Sequence, residues 1–165
     1  MQTHIARTLH DDHEAALALI ARLEALLGRH GADYPPVAAT PAVAALLRDC
    51  DRAIVLEIGP HFDFEETALF PRLEAAGAAA MVAVLTEEHA QIRPLAQTLR
   101  NLAREGQSGG FTASLWQTFR AAGAEFSSLM TAHITKEEIG LLPAVDEILD
   151  PETDAMLAET FASAR

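Results

Sequence analysis

The strongest constraint on the fold of this chain is that its two halves repeat one another around their ionisable residues. Ile58 to Pro71 reads IGPHFDFEETALFP, and Met130 to Pro143 reads MTAHITKEEIGLLP. His61, Glu65, Glu66, Leu69 and Pro71 of the first match His133, Glu137, Glu138, Leu141 and Pro143 of the second. A shorter pair precedes each: LHDDHEAAL, Leu9 to Leu17, is echoed by LTEEHAQIR, Leu85 to Arg93. Shared offsets of histidine, acids, leucine and proline in one short chain describe two similar helix hairpins related by a pseudo-two-fold axis.

Breakers divide the chain into long helical segments. The first runs from about Thr3 to Gly28 and ends in RHGADYPP. The second starts at Thr40–Pro41, an N-cap followed by proline at the first helical position, and continues to about Ala76 before Gly77. The third covers about Ala78 to Arg104 and stops at EGQSGG; the fourth runs from about Phe111 to Leu149. A short fifth helix, about Glu152 to Ala164, is expected to pack across one end. No segment alternates in the manner of a strand. Half of the residues are hydrophobic but only 5 % are aromatic, which favours helix packing. The expected fold is all-α: one domain over residues 1–165, an antiparallel up-down-up-down four-helix bundle of two hairpins, about 3–76 and 78–149, plus the fifth helix. Pro60 and Pro94 lie inside helical stretches and should kink them. At Pro60 the distortion could take the form of a π-bulge close to His61.

Helical periodicity then aims the polar residues. At about 100° per residue, His133 and Glu137 fall on an otherwise apolar stripe with Phe119, Phe126, Leu129 and Ile148. His61 and Glu65 fall on the matching stripe with Leu47, Cys50, Ile54 and Ile58. His13 sits among Leu9, Ala16 and Ile20, and His89 among Val82, Leu85 and Ile92. Each helix thus drives a histidine into the core, and two of them add a glutamate four residues on. Buried carboxylates and imidazoles are costly without partners. Two iron ions bridged by Glu65 and Glu137, with His13, His61, His89 and His133 shared two to each ion, would satisfy all six. Imidazole and carboxylate suit non-haem iron, with zinc or manganese as substitutes. Ala68 and Gly140, one turn beyond each pair, should leave room for an exogenous ligand or an oxo or hydroxo bridge.

The remaining ionisable groups have plainer readings. Glu66 and Glu138 lie about 140° from their histidines and read as a solvated face. His4 points away from His13, and His30 falls in a loop. His10 is at the stripe edge, about 60° from His13, where it could add a ligand. Glu57, one turn before His61, could act as a base beside the site. Cys50, without a histidine or lysine one turn away, reads as a small core residue.

The order and spacing of DDH, HFDFEETALFP, EEH and HITKEEIGLLP resemble the hemerythrin-like (HHE cation-binding) family over most of the chain. The resemblance implies an antiparallel bundle holding two irons on terminal histidines and bridging carboxylates, which reacts reversibly with O2 or NO. By position, His13, His61, Glu65, His89, His133 and Glu137 inherit the ligand roles. Two features depart from the oxygen-carrying members. No second histidine stands one turn from His89, where Leu85 and Arg93 are found, and Glu137 follows His133 by four residues where those members place an aspartate after five. The chain is closer to the more symmetric bacterial HHE proteins. The expected function is a di-iron protein that reversibly binds, senses or stores O2 or NO, or handles iron. The alternative is a di-iron enzyme for peroxide or NO reduction, or for iron donation to cluster repair.

Charge and cysteine content narrow the partners. Twelve Lys and Arg against twenty-four Asp and Glu give a net charge of −12, unsuited to nucleic acid or an anionic membrane. One cysteine excludes an internal disulfide and thiolate metal sites and fits a reducing compartment. With no long apolar run and no signal-peptide pattern, the expectation is a cytoplasmic protein, monomer or homodimer.

Overall fold

The structure, a computed structural model, describes residues 3–163, apart from the side chains of Leu56 and Glu57. The reading of Glu57 as a base therefore falls outside the described residues. Helix α1 (His4–Arg29) begins where Thr3 accepts the Ala6 N–H at 3.2 Å. Asp146 takes the Thr3 N–H at 2.6 Å, and Asp154 takes those of His4 and Ile5 at 2.8 and 2.9 Å. Amides at a helix start have no partner within the helix, so these two aspartates tie α1 to the C-terminal part of the chain. At the other end of α1, Arg120 bonds the Leu27 and His30 carbonyls, and the Trp116 indole donates to Gly31 O at 2.9 Å.

Helix α2 (41–75) opens on Pro41 as expected, although the Thr40 hydroxyl donates to Val37 O rather than capping the helix. Two π turns interrupt it, Ile54–Ile58 and Glu65–Leu69. Helix α3 (Ala79–Gly109) runs through Pro94 without leaving α geometry. It also extends past Arg104, the expected stop, because the EGQSG stretch is helical. Gly106 is pressed by the Phe111 ring, where a Cβ would come within 2.7 Å, and the helix ends at Gly110 with φ +75°. Helix α4 (113–148) is capped by Thr112 and has one π turn, Glu137–Leu141. Helix α5 (Pro151–Ser163) follows Asp150, whose carboxylate accepts the Glu152 and Thr153 amides. The described residues contain no strand.

Each of the three π turns ends two residues before a proline: Pro60, Pro71 and Pro143. A proline ring presses on the carbonyl four residues back and offers no N–H, and a widened turn relieves both problems. The proline of the internal repeat thus marks a helix distortion that both hairpins share.

Helix α1 packs on α2 and α4, and α3 packs on α2 and α4, which closes the square of an antiparallel bundle. Helix α5 lies against α1 at one end and buries Leu157 and Phe161. The core falls into two apolar clusters. One contains Leu23, Leu47, Ile92, Trp116, Phe119 and Phe126; the other contains Ile5, Leu9, Leu73, Leu85, Leu141 and Phe161. Between them lies a polar layer.

Candidate metal centre

The polar layer is built from one histidine per helix. His13 (α1), His61 (α2), His89 (α3) and His133 (α4) are at most 4 % exposed, and Glu65 and Glu137 are fully buried. The six stripe residues picked out in the sequence therefore share one level of the bundle. His13 Nε2 lies 3.0 Å from Glu137 Oε2, and His133 Nε2 lies 3.0 Å from Glu137 Oε1. His61 Nε2 and His89 Nε2 lie 3.3 and 3.4 Å from the two oxygens of Glu65. In spite of these distances, His13 Nε2 and all four carboxylate oxygens make no hydrogen bond. Their directions converge on a shared space instead. Buried polar atoms left this way cost free energy unless a cation or proton fills that space.

The opposite face of each ring explains why Nε2 is the inward atom. Nδ1 of His13 meets Glu138 at 2.6 Å, that of His61 meets Asp12 at 3.2 Å, that of His89 meets Glu66 at 2.8 Å, and that of His133 meets Glu88 at 3.0 Å. An ionised carboxylate only accepts, so each Nδ1 carries the proton and each Nε2 is left to hold a proton or a metal. His89 Nε2 and His133 Nε2 face one another at 3.1 Å, which two lone pairs tolerate only with positive charge between them.

This arrangement corrects the sequence reading of Glu66 and Glu138. They do not form a solvated face; their side chains are only 34 % and 31 % exposed, and each reaches across to a histidine of the other hairpin. An ideal helix puts them about 140° from the histidine of their own helix. The π turns begin at Glu65 and Glu137, and the recipients are histidines of neighbouring helices. The π turns do not exchange the roles, since Glu65 and Glu137 remain the inward pair. Asp12 and Glu88 did not emerge from the stripe argument. Their signal was present, however, as an acid immediately before the inward histidine in both DDH and EEH.

His10 does not join the inner set. Its Nδ1 is 3.1 Å from both oxygens of Glu138, at the solvent edge. His4 is exposed, as expected, and His30 sits just after α1 with its ring edge toward Trp116. Cys50 is a buried core residue whose thiol burial pushes up to about 12.

The electrostatics all ask for cationic charge at the centre. Burial alone would lower the pKa of His61, yet Glu65, Asp12 and Glu137 push it up to about 10. Against the same burial, Glu137, Glu65 and Glu66 push His89 up to about 9, and Glu137 and Glu138 raise His13. Glu137, although buried, is held well below the usual carboxylate range by His13, His133 and His89. Protons or metal ions can supply this charge. Two sets of donors lie close enough to hold an ion: His13, His61, Glu65 and Glu137, and Glu65, His89, His133 and Glu137. Both carboxylates belong to both sets.

Aromatic rings close the layer. Phe62 stacks on His89 with centroids 3.7 Å apart, and Phe70 lies against the same ring at 5.5 Å. Phe161 of α5 meets His61 edge-on. A cavity of about 20 Å³ opens beside His13 and His61, bounded by Asp12, Ala16, Ala53, Ile58 and Met130. Ala16 and Ala53 flank this cavity, whereas at Gly140 Met81 Sδ stands 3.3 Å from the place a Cβ would occupy.

The family model described as the hemerythrin HHE cation binding domain matches residues 4–145, a span that includes all six inward residues. No curated protein matches the chain.

Proposed function

From the premise that this chain belongs to the hemerythrin HHE cation-binding family, we propose that it is a non-haem di-iron protein that reversibly binds O2 or NO. The observation that carries this reading is the set of orphaned inward atoms, His13 Nε2 and the four oxygens of Glu65 and Glu137. In this reading His13 and His61 would hold one ion, His89 and His133 would hold the other, and Glu65 and Glu137, which belong to both donor sets, would serve both. Four imidazoles and two carboxylates suit iron, with zinc or manganese as substitutes. Bound iron would supply the redox-active site at which a diatomic molecule coordinates.

The protein's own groups set the conditions for that chemistry. Asp12, Glu66, Glu88 and Glu138 fix the Nδ1 protons and keep each Nε2 turned inward. Phe62, Phe70 and Phe161 keep bulk water from the centre. A cavity of about 20 Å³ admits one small molecule and little else. Among the described residues lining it, Asp12 is the carboxylate, and it is engaged by His61. No helix among the described residues is long and apolar enough to cross a membrane.

The test is metal analysis of protein purified from iron-fed cells, followed by optical spectra of the reduced form with O2 or NO. Two irons per chain and a spectrum restored on removal of the gas are expected. Steady consumption of peroxide or NO with added reductant would favour the enzyme instead, and failure to retain iron would defeat both.

A further inference from the structure

The cavity of about 20 Å³ beside His13 and His61 holds one water-sized molecule. An ion that still carries bound waters does not fit through it, and the six inward residues are buried. Part of the protein must therefore move before a metal enters or leaves. Each of α1 to α4 holds a histidine of the centre, so displacing any of them pulls a donor away. Helix α5 contributes none of the six. It packs on α1, while its Phe161 meets two rings of α2, His61 edge-on at 6.1 Å and Phe64 at 4.5 Å between centroids. It thus covers the seam between α1 and α2 where His61 lies. It also stands outside residues 4–145, the span of the family match. The internal repeat has no counterpart of it, since the first hairpin passes from α2 through Gly77 into α3.

The attachments of α5 can be undone without touching a donor. Its buried side chains are Leu157 and Phe161, and Asp154 accepts the His4 and Ile5 amides at 2.8 and 2.9 Å. When α5 lifts, water can take over those amides, as it does at other helix starts. The remaining cost is chiefly the exposure of two apolar side chains.

We infer that α5 is a movable cap that lifts from the α1–α2 seam to let metal in and out, with Phe161 and Asp154 setting how often it opens. The inference rests on the metal-binding reading above. A cap closes over the filled and the empty centre alike, so weakening it speeds uptake and release together and leaves affinity unchanged. Weakening a static wall would instead speed release alone and lower affinity.

Hydrogen exchange on the metal-free full chain comes first. Amides of α5 should exchange at least about tenfold faster than those of α2 around His61. Equal protection would overturn the inference, because α5 would then open only with the bundle. Fe2+ is next added under argon, and uptake and release to a ferrous chelator are timed for the parent, Phe161→Leu, Asp154→Asn and Asp146→Asn. Phe161→Leu keeps an apolar side chain and Asp154 is only half-buried, so both variants should fold. Both should speed uptake and release on the order of tenfold with unchanged affinity. Asp146→Asn is the control, because Asp146 holds the same end of α1 from α4, through Thr3. It should keep the parental rates. Parental rates in either α5 variant, faster release without faster uptake, or equal acceleration by Asp146→Asn would overturn the cap while leaving the metal-binding reading intact. A parent chain that retains no iron, seen before any rate is measured, would defeat that reading and this inference together.

Discussion

Glu138 holds Nδ1 of His13 at 2.6 Å although the two residues lie in opposite hairpins. The reciprocal contact, Glu66 on His89 at 2.8 Å, runs the other way, so each hairpin orients a histidine of the other. Asp12 on His61 and Glu88 on His133 complete the set within hairpins. The centre is thereby a joint between the two halves.

Removal of these outer carboxylates should be felt at the metal. Glu138→Ala or Glu66→Ala frees the imidazole to rotate or change tautomer, and metal affinity should fall about 10- to 100-fold. Chelator competition monitored by metal analysis would show it. Affinity equal to that of the parent protein in both variants would mean that the Nδ1 contacts are incidental.

Glu65→Gln and Glu137→Gln should be more severe, since each carboxylate belongs to both donor sets. With one bridging charge gone, two cations would face each other with less negative charge between them. Retained metal should fall to about one ion per chain or fewer, as expected when a two-metal clamp is broken. Two ions retained by either variant would show that its carboxylate does not bridge.

Much of this layer was legible in the sequence because it lies on helical faces. His13, His61, His89, His133, Glu65 and Glu137 could be placed by counting residues along a stripe, and the repeat made a coincidence implausible. The roles of Glu66 and Glu138 were not legible that way, because they depend on which neighbouring helix lies opposite. Periodicity describes one helix at a time and carries no information about its neighbours. The π turns were only half legible. Pro60 suggested one, whereas those before Pro71 and Pro143 follow from the same ring-against-carbonyl conflict and could have been inferred from the repeat. The extension of α3 to Gly109 was hidden because two glycines near a helix end ordinarily signal its stop. Here the Phe111 ring covers Gly106, and burial outweighs propensity.

The cavity offers a way to separate ligand binding from metal binding. Ala16→Val adds two methyl groups to the wall of a space of about 20 Å³ beside His13 and His61. Ala16 is not among the groups placed to hold a metal, so iron content should be unchanged while O2 or NO binding weakens at least tenfold. A stopped-flow measurement of ligand binding on fully loaded protein is suitable. Unaltered binding would place the entry route elsewhere.

Metal-free and loaded protein should diverge in stability as pH rises. His61 and His89 are raised from 6.5 to about 10 and about 9, and His13 is raised as well. Groups raised on folding stabilise fully below their unfolded value of 6.5, and that contribution disappears as pH climbs through the folded values. Glu137, Glu66, Glu88 and Glu138 are lowered from 4.5, so their contribution is present above that value and lost as pH falls. Metal-free protein should therefore melt highest between about pH 5 and 6.5 and decline steadily toward pH 10. In loaded protein the metal takes the place of the protons on Nε2, and binding releases them, so the metal's share of stability grows as pH rises. The difference in melting temperature between loaded and chelator-treated protein should accordingly widen from pH 6 to pH 9. Melting curves of both forms across that range would decide it, and a constant or narrowing gap would show that protons and metal do not compete for His13, His61 and His89.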